Sequence, residues 1–143
     1  GTIVHECIAL HLRGELDRAS IAPEISGFFD AFLAFEKREE FKALASERLV
    51  HTEEYAGTLD ALGTCAGKTV LCDWKTGKPD WTHALQLNAY LEAAGEQVEK
   101  LRCVYLNEDG KYKMRDYPVD LGPWHAALEL WRARKKHTKA RAE

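Results

Sequence analysis

The sequence predicts an α/β protein with a mixed central sheet of about five strands flanked by helices, in the order ααβββαββα. Three observations lead to this fold class. The N-terminal part carries apolar residues at helical spacing, and the middle is rich in β-formers and punctuated by glycines. The last part places a helical pattern between two strand signals, which is typical of a crossover between strands of one sheet.

Two helices are predicted before the first strand. In helix one, over 3–16, the apolar residues Ile8, Leu12 and Leu16 share one face. After a break at 20–23, Pro23 suits the first turn of helix two, and a charged run at 36–40 ends it. The apolar stripe of helix two is largely aromatic and is expected in the core: Ile25, Phe28, Phe29, Phe32 and Phe35.

Three strands are predicted near 47–52, 55–65 and 69–75. Their short connections favour an antiparallel meander. Helix three begins at Asp80 or Thr82, which can cap it, and stops at Gly95. Because it directly follows strand three, it predicts a crossover to strand four and a mixed sheet if those two strands are parallel.

Asp109-Gly110 gives the strongest hairpin signal in the chain and separates strand four, near 101–105, from strand five, near 112–116. Pro123 then opens a last helix that runs into a basic segment. We see no internal repeat or linker. At 143 residues and 45% hydrophobic composition, the chain predicts a single domain, 1–143, with one sizeable core.

The formal charge of −3 excludes a uniformly basic nucleic-acid coat protein. From position 124 to the end, however, six lysines and arginines face two glutamates, so a polyanion would meet a local patch. No apolar run approaches the roughly 20 residues that a membrane span needs, so we expect a soluble, cytoplasmic protein without a membrane partner. The four cysteines stand singly, without a C-x-x-C pair, which argues against a thiolate metal cluster.

Three short stretches set polar groups among core-forming residues. On strand three, Asp73 and Lys75 lie two apart and share a face, while Trp74 turns to the other face. A hairpin can bring Asp60, on the preceding strand, beside Asp73. Two adjacent carboxylates repel unless a cation lies between them, and hard oxygen ligands favour Mg²⁺, Mn²⁺ or Ca²⁺. The pattern therefore predicts a metal site.

A lysine beside such a metal would have its charged form disfavoured. Lys75 would then orient or deprotonate a water and stabilise the charge that develops on a phosphate, which points to phosphodiester hydrolysis. Gln86 and Tyr90 lie four apart on one face of helix three and would orient Lys75 or the phosphate. The alternative interpretation is a turn carboxylate together with a salt bridge between Asp73 and Lys75.

Four motifs together resemble the RecB-like exonuclease branch of the PD-(D/E)XK nuclease superfamily. They are the D-x-K at 73–75, the G-x-x-D at 57–60, the Q-x-x-x-Y at 86–90 and the opening Gly1-Thr-Ile-Val-His5. The resemblance spans residues 1 to about 90 and implies the restriction-endonuclease-like αβββαβ core.

By position, the resemblance implies that His5, Asp60 and Asp73 bind one or two Mg²⁺ or Mn²⁺ ions, as the matching residues do in that family. It also implies that Lys75 is catalytic. The backbone carbonyl of Trp74 is a further implied ligand. Glu47, the matching acid on the first strand, is a further catalytic candidate. Taken alone, a histidine on the apolar stripe of helix one would more often be a hydrogen-bonded core residue.

Two departures from the family pattern bear on function. Leu59 precedes Asp60 where the family's name has a proline, as is common in this branch. Cys103 stands alone where cluster-bearing members have a cysteine group, so we expect no iron–sulfur cluster. The chain has no helicase module, so motor activity would come from a helicase or recombination partner.

Candidate DNA contacts are few because the body of the chain is acidic. A phosphate backbone would find positive charge at Lys68, Lys78 and the basic tail, represented by Arg132, Lys135 and Lys136. Trp81 follows the metal-site strand and would stack on a base, or else is a half-buried loop tryptophan. The ordinary interpretation of the tail is a solvated helix end.

The sequence thus predicts a Mg²⁺- or Mn²⁺-dependent deoxyribonuclease acting on linear or single-stranded DNA, as expected of a phage or bacterial repair or recombination enzyme. Exonuclease activity is preferred by analogy with relatives that carry the histidine in helix one. Three alternatives stay open. They are a structure-specific endonuclease, a non-catalytic DNA-binding subunit with the same fold, and a thiol-redox or zinc module using the cysteines.

Overall fold

A computed structural model describes residues 1–142, so Glu143, which the predicted domain includes, lies outside the described residues. These 142 residues form one five-stranded mixed sheet and four α-helices. In chain order, the elements are α1 (Thr2–Leu12), a short 3₁₀ turn (Arg18–Ser20), α2 (Pro23–Arg38), β1 (Phe41–His51), β2 (Ala56–Cys65), β3 (Lys68–Lys75), α3 (Thr82–Ala94), β4 (Lys100–Leu106), β5 (Tyr112–Tyr117) and α4 (Gly122–Ala142).

The strands lie in the sheet in chain order, β1-β2-β3-β4-β5. Neighbouring strands are antiparallel except β3 and β4, which are parallel and joined by α3. The predicted meander, the mixed sheet and the hairpin at Asp109-Gly110 are therefore confirmed. Among the described residues, no helix combines the length and apolar character that crossing a bilayer requires.

Helix α1 ends at Leu12 and does not continue to Leu16 as the apolar spacing predicts. Gly14 adopts a left-handed backbone with φ +74°, and the N–H of Glu15 bonds to the carbonyl of Leu10. This is the Schellman geometry that glycine permits without a Cβ penalty, so the helix stops while the apolar pattern continues.

Strand β1 begins at Phe41, six residues before the predicted start at 47. It lies at the edge of the sheet, and its pairing with β2 shifts between Ala43 and Ala45. Leu44 and Leu49 are exposed while Phe41 and Val50 are buried, so burial does not alternate with period two. An irregular edge strand therefore gives too weak an alternation for its first half to be predicted.

The sheet is buried on both faces. On one face, the aromatic stripe of α2 packs as predicted, and the ring of Trp74 makes edge contacts with Phe32, Phe35 and Phe41 at centroid distances of 5.1, 5.7 and 5.6 Å. On the other face, Leu87 of α3 packs in a second cluster with strand residues such as Leu71 and Leu101. The candidate site lies on this second face, at the carboxyl end of β3.

Candidate metal and phosphodiester site

The site begins where β2 and β3 separate. Their regular pairing ends at Ala61 and Cys72, one residue before the two acids would face each other. Beyond that point, Oδ2 of Asp60 accepts a 2.8 Å hydrogen bond from the N–H of Trp74. A side chain thus replaces the backbone carbonyl that would continue the ladder, and the carboxylate of Asp60 lies in the gap between the strands.

The carboxyl groups of Asp60 and Asp73 are close enough that each shifts the pKa of the other. Asp73 is only 3% exposed. Burial, together with the negative charge of Asp60, raises the pKa of Asp73 to about 7. Burial also opposes ionisation of Asp60, but hydrogen bonds from His5 and Asp73 outweigh it and lower the pKa of Asp60. The predicted juxtaposition of the two acids is present.

Oδ2 of Asp73 lies 2.8 Å from Nζ of Lys75, which gives it a counter-ion. The alignment of the two groups does not make a directed hydrogen bond, and this buried oxygen has no other partner among the described residues. A buried carboxylate oxygen without directed donors is costly to the fold and is the atom type that a hard cation coordinates.

Lys75 is held from the helix side. Its Nζ donates a 2.7 Å hydrogen bond to Oε1 of Gln86, and Nε2 of Gln86 donates a 3.0 Å bond to the hydroxyl of Tyr90. Burial works to lower the pKa of Lys75, but the charge of Asp73 outweighs it, so the pKa is raised. Among the protein's own groups, Asp73 thus favours the ammonium of Lys75. The expectation that a bound metal disfavours this charged form stays a prediction.

Gly57 explains the position of Tyr90. A Cβ added at Gly57 would lie 2.6 Å from Cε1 of the Tyr90 ring, well inside van der Waals contact. Only a glycine lets the ring lie this close to β2 at this point. The glycine of the G-x-x-D motif and the tyrosine of the Q-x-x-x-Y motif therefore contact each other, and the contact positions Gln86 under Lys75.

His5 reaches the acids from α1. Its Nε2 lies 3.2 Å from Oδ2 of Asp60, and its Nδ1 lies 2.8 Å from the carbonyl oxygen of Gly1. The hydrogen bond with Asp60 is the main cause that raises the pKa of His5 to about 9. When the ring is neutral, Nδ1–H donates to the Gly1 carbonyl, which leaves the lone pair on Nε2 facing Asp60. That is how ligating histidines are oriented.

The donor set fits a divalent cation with hard ligands. Nε2 of His5 lies beside the carboxylate of Asp60, Asp73 lies opposite Asp60 on the next strand, and the Trp74 carbonyl points to the same side of β3 as its N–H, which is the side of Asp60. Within residues 1–142, no three histidine, cysteine or acidic side chains stand close enough together to hold a metal ion as they are placed. The groups that face the acids are instead Lys75, beside Asp73, and His5, whose pKa the Asp60 carboxylate raises to about 9.

Glu47 lies on β1 directly across from Asp60, because Ser46 pairs with Ala61 and Arg48 with Leu59. Its backbone is left-handed, with φ +47°, and its side chain is exposed. Non-glycine residues rarely adopt this conformation, and such strain is concentrated at functional sites. Glu47 is thus beside the acid pair but does not contact it.

The structure separates the predicted DNA contacts into two groups by their distance from the acids. Lys78 and Trp81 lie in the segment between β3 and α3, next to the site, and Trp81 is 72% exposed. The half-buried alternative for Trp81 is therefore wrong. Lys68 begins β3, about 23 Å along the strand from Lys75 at ~3.3 Å per residue, so it lies at the opposite end of the sheet.

The basic residues of α4 differ in their partners. Arg132 forms ion pairs with Glu54 and Glu129, so its charge is already balanced. The ammonium of Lys135 lies 5.0 Å from the centroid of the Trp131 ring. Lys136 is exposed. A sequence count treats these cations as equal, but only the last two are available to a phosphate backbone.

The cysteines do not assemble into a common site. Cys72 belongs to the core cluster on the α2 side of the sheet, whereas Cys103 belongs to the cluster on the α3 side. All four thiols are free. A ligand group that uses all four would have to pass through the sheet, so the thiol or zinc alternative lacks structural support.

Sequence reasoning missed one polar residue at the site. His83 of α3 is half-buried, and its Nδ1 lies 2.9 Å from the hydroxyl of Tyr105, the register partner of Lys75 on β4. Its spacing of three residues from Gln86 was the available signal, because residues three apart share a helix face.

Comparison of the chain with protein-family models gives no match, and comparison with curated proteins gives none.

Proposed function

We propose that this protein is a metal-dependent deoxyribonuclease of the RecB-like branch of the PD-(D/E)XK superfamily, acting as an exonuclease on linear or single-stranded DNA. One observation carries the proposal. The four motif stretches contact one another in an unbroken series: Gly57 to Tyr90, Tyr90 to Gln86, Gln86 to Lys75, Lys75 to Asp73, Asp73 to Asp60, and Asp60 to His5.

A structural salt bridge explains less of this arrangement. It requires one acid for one base, whereas a second, partly buried carboxylate, that of Asp60, lies near Asp73 and raises its pKa. Like charges brought together in a buried place cost stability unless a ligand uses them. The Lys75 ion pair needs only Asp73, and the hydrogen bond that Asp60 accepts from the Trp74 N–H does not need a second negative charge beside it. The acid pair therefore favours a functional role.

His5, Asp60 and Asp73, with the carbonyl of Trp74, would hold one or two Mg²⁺ or Mn²⁺ ions. Such an ion supplies a coordinated water of lowered pKa and neutralises charge on the scissile phosphate. Lys75, kept in place by Gln86, orients the attacking water and stabilises the negative charge that develops on the phosphate oxygens. Trp81 and Lys78 beside the site would engage a base and a phosphate of the strand.

The test is cleavage of end-labelled linear duplex, linear single-stranded and closed circular single-stranded DNA with Mg²⁺, Mn²⁺ or EDTA. Lys75→Ala is the test variant, and Lys42→Ala, an exposed lysine on β1, is the matched control. We expect metal-dependent loss of the linear substrates with the circles spared. Lys75→Ala should lose this activity and Lys42→Ala should keep it.

Other outcomes would contradict parts of the proposal. Cut circles would make the protein an endonuclease. Binding of DNA without cleavage in any metal would favour the non-catalytic subunit. Full activity of Lys75→Ala would remove the proposed mechanism.

A further inference from the structure

The polar face of α3 that serves Lys75 begins one turn earlier than Gln86. His83, Gln86 and Tyr90 occupy positions i, i+3 and i+7 of the helix, which places them in one row along the same side. The side chains of all three are partly buried over the sheet. Gln86 and Tyr90 have their places in the contact series described above, and His83 does not.

The ring of His83 is fixed over the strand next to Lys75. Its Nδ1 lies 2.9 Å from the hydroxyl of Tyr105, with the two ring centroids 5.7 Å apart. Tyr105 is the register partner of Lys75 on the neighbouring strand β4. The Tyr105 hydroxyl lies in turn 3.3 Å from that of Tyr117 on β5. The imidazole is therefore held through its Nδ1 by a tyrosine hydroxyl of the sheet.

The other ring nitrogen, Nε2, has no hydrogen-bond partner among residues 1–142 and is not sealed from solvent. The titratable or charged groups around the ring are Lys75 from β3, Tyr105 and Tyr117 from β4 and β5, and Asp80 at the start of its own helix. Burial and the charge of Lys75 lower the pKa of His83, so the ring is neutral at pH 7.

A neutral imidazole carries one N–H, and the network decides which nitrogen holds it. Burial and its hydroxyl and thiol neighbours raise the pKa of Tyr105, which keeps the phenol protonated and able to donate. When the Tyr105 O–H donates to Nδ1, the shorter of its two contacts, rather than to the Tyr117 hydroxyl, the hydrogen of His83 lies on Nε2. The exposed edge of the ring then presents a donor on the face of the sheet that carries Lys75, whose charge acts on the ring.

We infer that His83 is a further substrate-binding residue, whose Nε2–H donates to a non-bridging oxygen of a nucleic-acid phosphate adjacent to Lys75. The inference rests on the proposed function. A neutral donor beside a cation suits an anion with several acceptor oxygens, and a phosphate diester has this chemistry. The bond from Tyr105 makes His83 rigid, so it binds without a large loss of side-chain entropy.

Two conservative variants separate this role from a structural one. In His83→Gln, the side-chain amide reaches close to the position of Nε2, whereas in His83→Asn it reaches close to that of Nδ1. If Nε2 binds phosphate, Gln keeps the contact and Asn loses it. If the histidine only ties α3 to Tyr105, Asn keeps the function and Gln loses it.

The probe is a fluorescein-labelled single-stranded oligonucleotide, and its dissociation constant is measured by anisotropy with Ca²⁺ and with EDTA. His83→Asn should weaken binding about tenfold, the loss typical of one hydrogen bond to a charged group, while His83→Gln stays near the unsubstituted protein. Thermal unfolding of each variant checks that the fold is kept.

Equal DNA affinity of the unsubstituted protein, His83→Gln and His83→Asn would overturn the inference. Weaker binding by His83→Gln together with unchanged binding by His83→Asn would also overturn it. Absence of binding by the unsubstituted protein would instead overturn the proposed function, and the inference with it. In the cleavage assay, the effect of His83→Asn should fall on KM rather than on kcat, because the contact is made in the bound ground state as well as later.

Discussion

Oδ2 of Asp60 accepts the backbone N–H of Trp74 at 2.8 Å, so an acidic side chain takes a place in the sheet that a backbone carbonyl would otherwise fill. The consequence is a fixed carboxylate. The strands part at this bond, which opens the gap in which Asp73 and His5 meet the same carboxyl group. The place of the Asp60 carboxylate in the hydrogen-bond ladder between β2 and β3 therefore determines the geometry of the acid pair, together with side-chain packing.

Gly57→Ala should disturb the site through Tyr90. The new Cβ would stand 2.6 Å from the tyrosine ring, so the ring must move and the bond between Gln86 and Tyr90 is lost. We expect a loss of about 1–3 kcal/mol in unfolding free energy, as for overpacking, and a fall in kcat. Denaturant unfolding and cleavage rates measure the two effects.

The double variant Gly57→Ala/Tyr90→Leu is the control, since leucine removes the ring edge that the methyl group meets. It should recover stability but not kcat, because Lys75 loses its support in either case. Strict additivity of the two single changes in stability would show that Gly57 and Tyr90 do not interact.

Asp73→Asn should abolish cleavage and yet stabilise the protein in EDTA. The pKa of Asp73 is raised from 3.8 to about 7, so its contribution to stability is present below the unfolded value and is lost as pH rises through about 7. Asparagine keeps the shape without the charge. The gain in unfolding free energy should exceed about 1 kcal/mol at pH 8, since one pKa unit corresponds to about 1.4 kcal/mol.

Urea unfolding of both proteins at pH 4 to 8 measures this difference. The slope of stability with pH between about 4 and 7 should be smaller in Asp73→Asn than in the unsubstituted protein. Parallel curves would mean that the pKa of Asp73 is the same in the folded and unfolded states and is not raised by folding.

Binding of Mg²⁺ should release protons. A cation held by Asp73 and His5 requires both groups to be deprotonated, and their pKa values are raised to about 7 and about 9. Calorimetric titration at pH 7.5 in two buffers of different ionisation enthalpy gives the number of protons released. We expect roughly one, contributed mainly by His5, whose raised pKa keeps it protonated at this pH.

His5→Gln is the matched variant for this measurement. It should release fewer protons and bind Mg²⁺ more weakly, and in EDTA its stability should no longer decline as pH rises from 6.5 through about 9. That decline follows from the sign of the shift, because a histidine with raised pKa stabilises the fold below its unfolded value and loses this effect above the folded one. Unchanged proton release would remove His5 from the ligand set.

The sequence predicted the strand order and the face shared by Asp73 and Lys75, because strand periodicity and short connections determine both. It also anticipated that Gln86 and Tyr90 reach back to Lys75. It did not predict the end of α1 at Gly14 or the early start of β1, where local backbone conformation overrides the apolar pattern.

The raised pKa of Lys75 also escaped prediction, because it depends on a distance of 2.8 Å to Asp73 that no spacing rule supplies. The same holds for the pairing of Arg132 with Glu54. These two residues lie far apart in the chain and meet only because α4 packs near the turn between β1 and β2.

The pairing of Arg132 leads to a last prediction about α4. Its guanidinium is held by two carboxylates, Glu54 and Glu129, so neutralising it removes two ion pairs and no phosphate contact.

Lys136, by contrast, is exposed. Lys136→Gln should weaken single-stranded DNA binding and reduce the slope of log Kd against log salt by about 0.7, the value for one phosphate contact on a single strand. Arg132→Gln should leave the slope unchanged and lower thermal stability only slightly, since solvent-exposed ion pairs contribute little to stability. Anisotropy titrations at salt concentrations from about 50 to about 200 mM distinguish the two variants. A reduced slope in Arg132→Gln would mean that DNA displaces Glu54 and that the ion pair covers a binding residue.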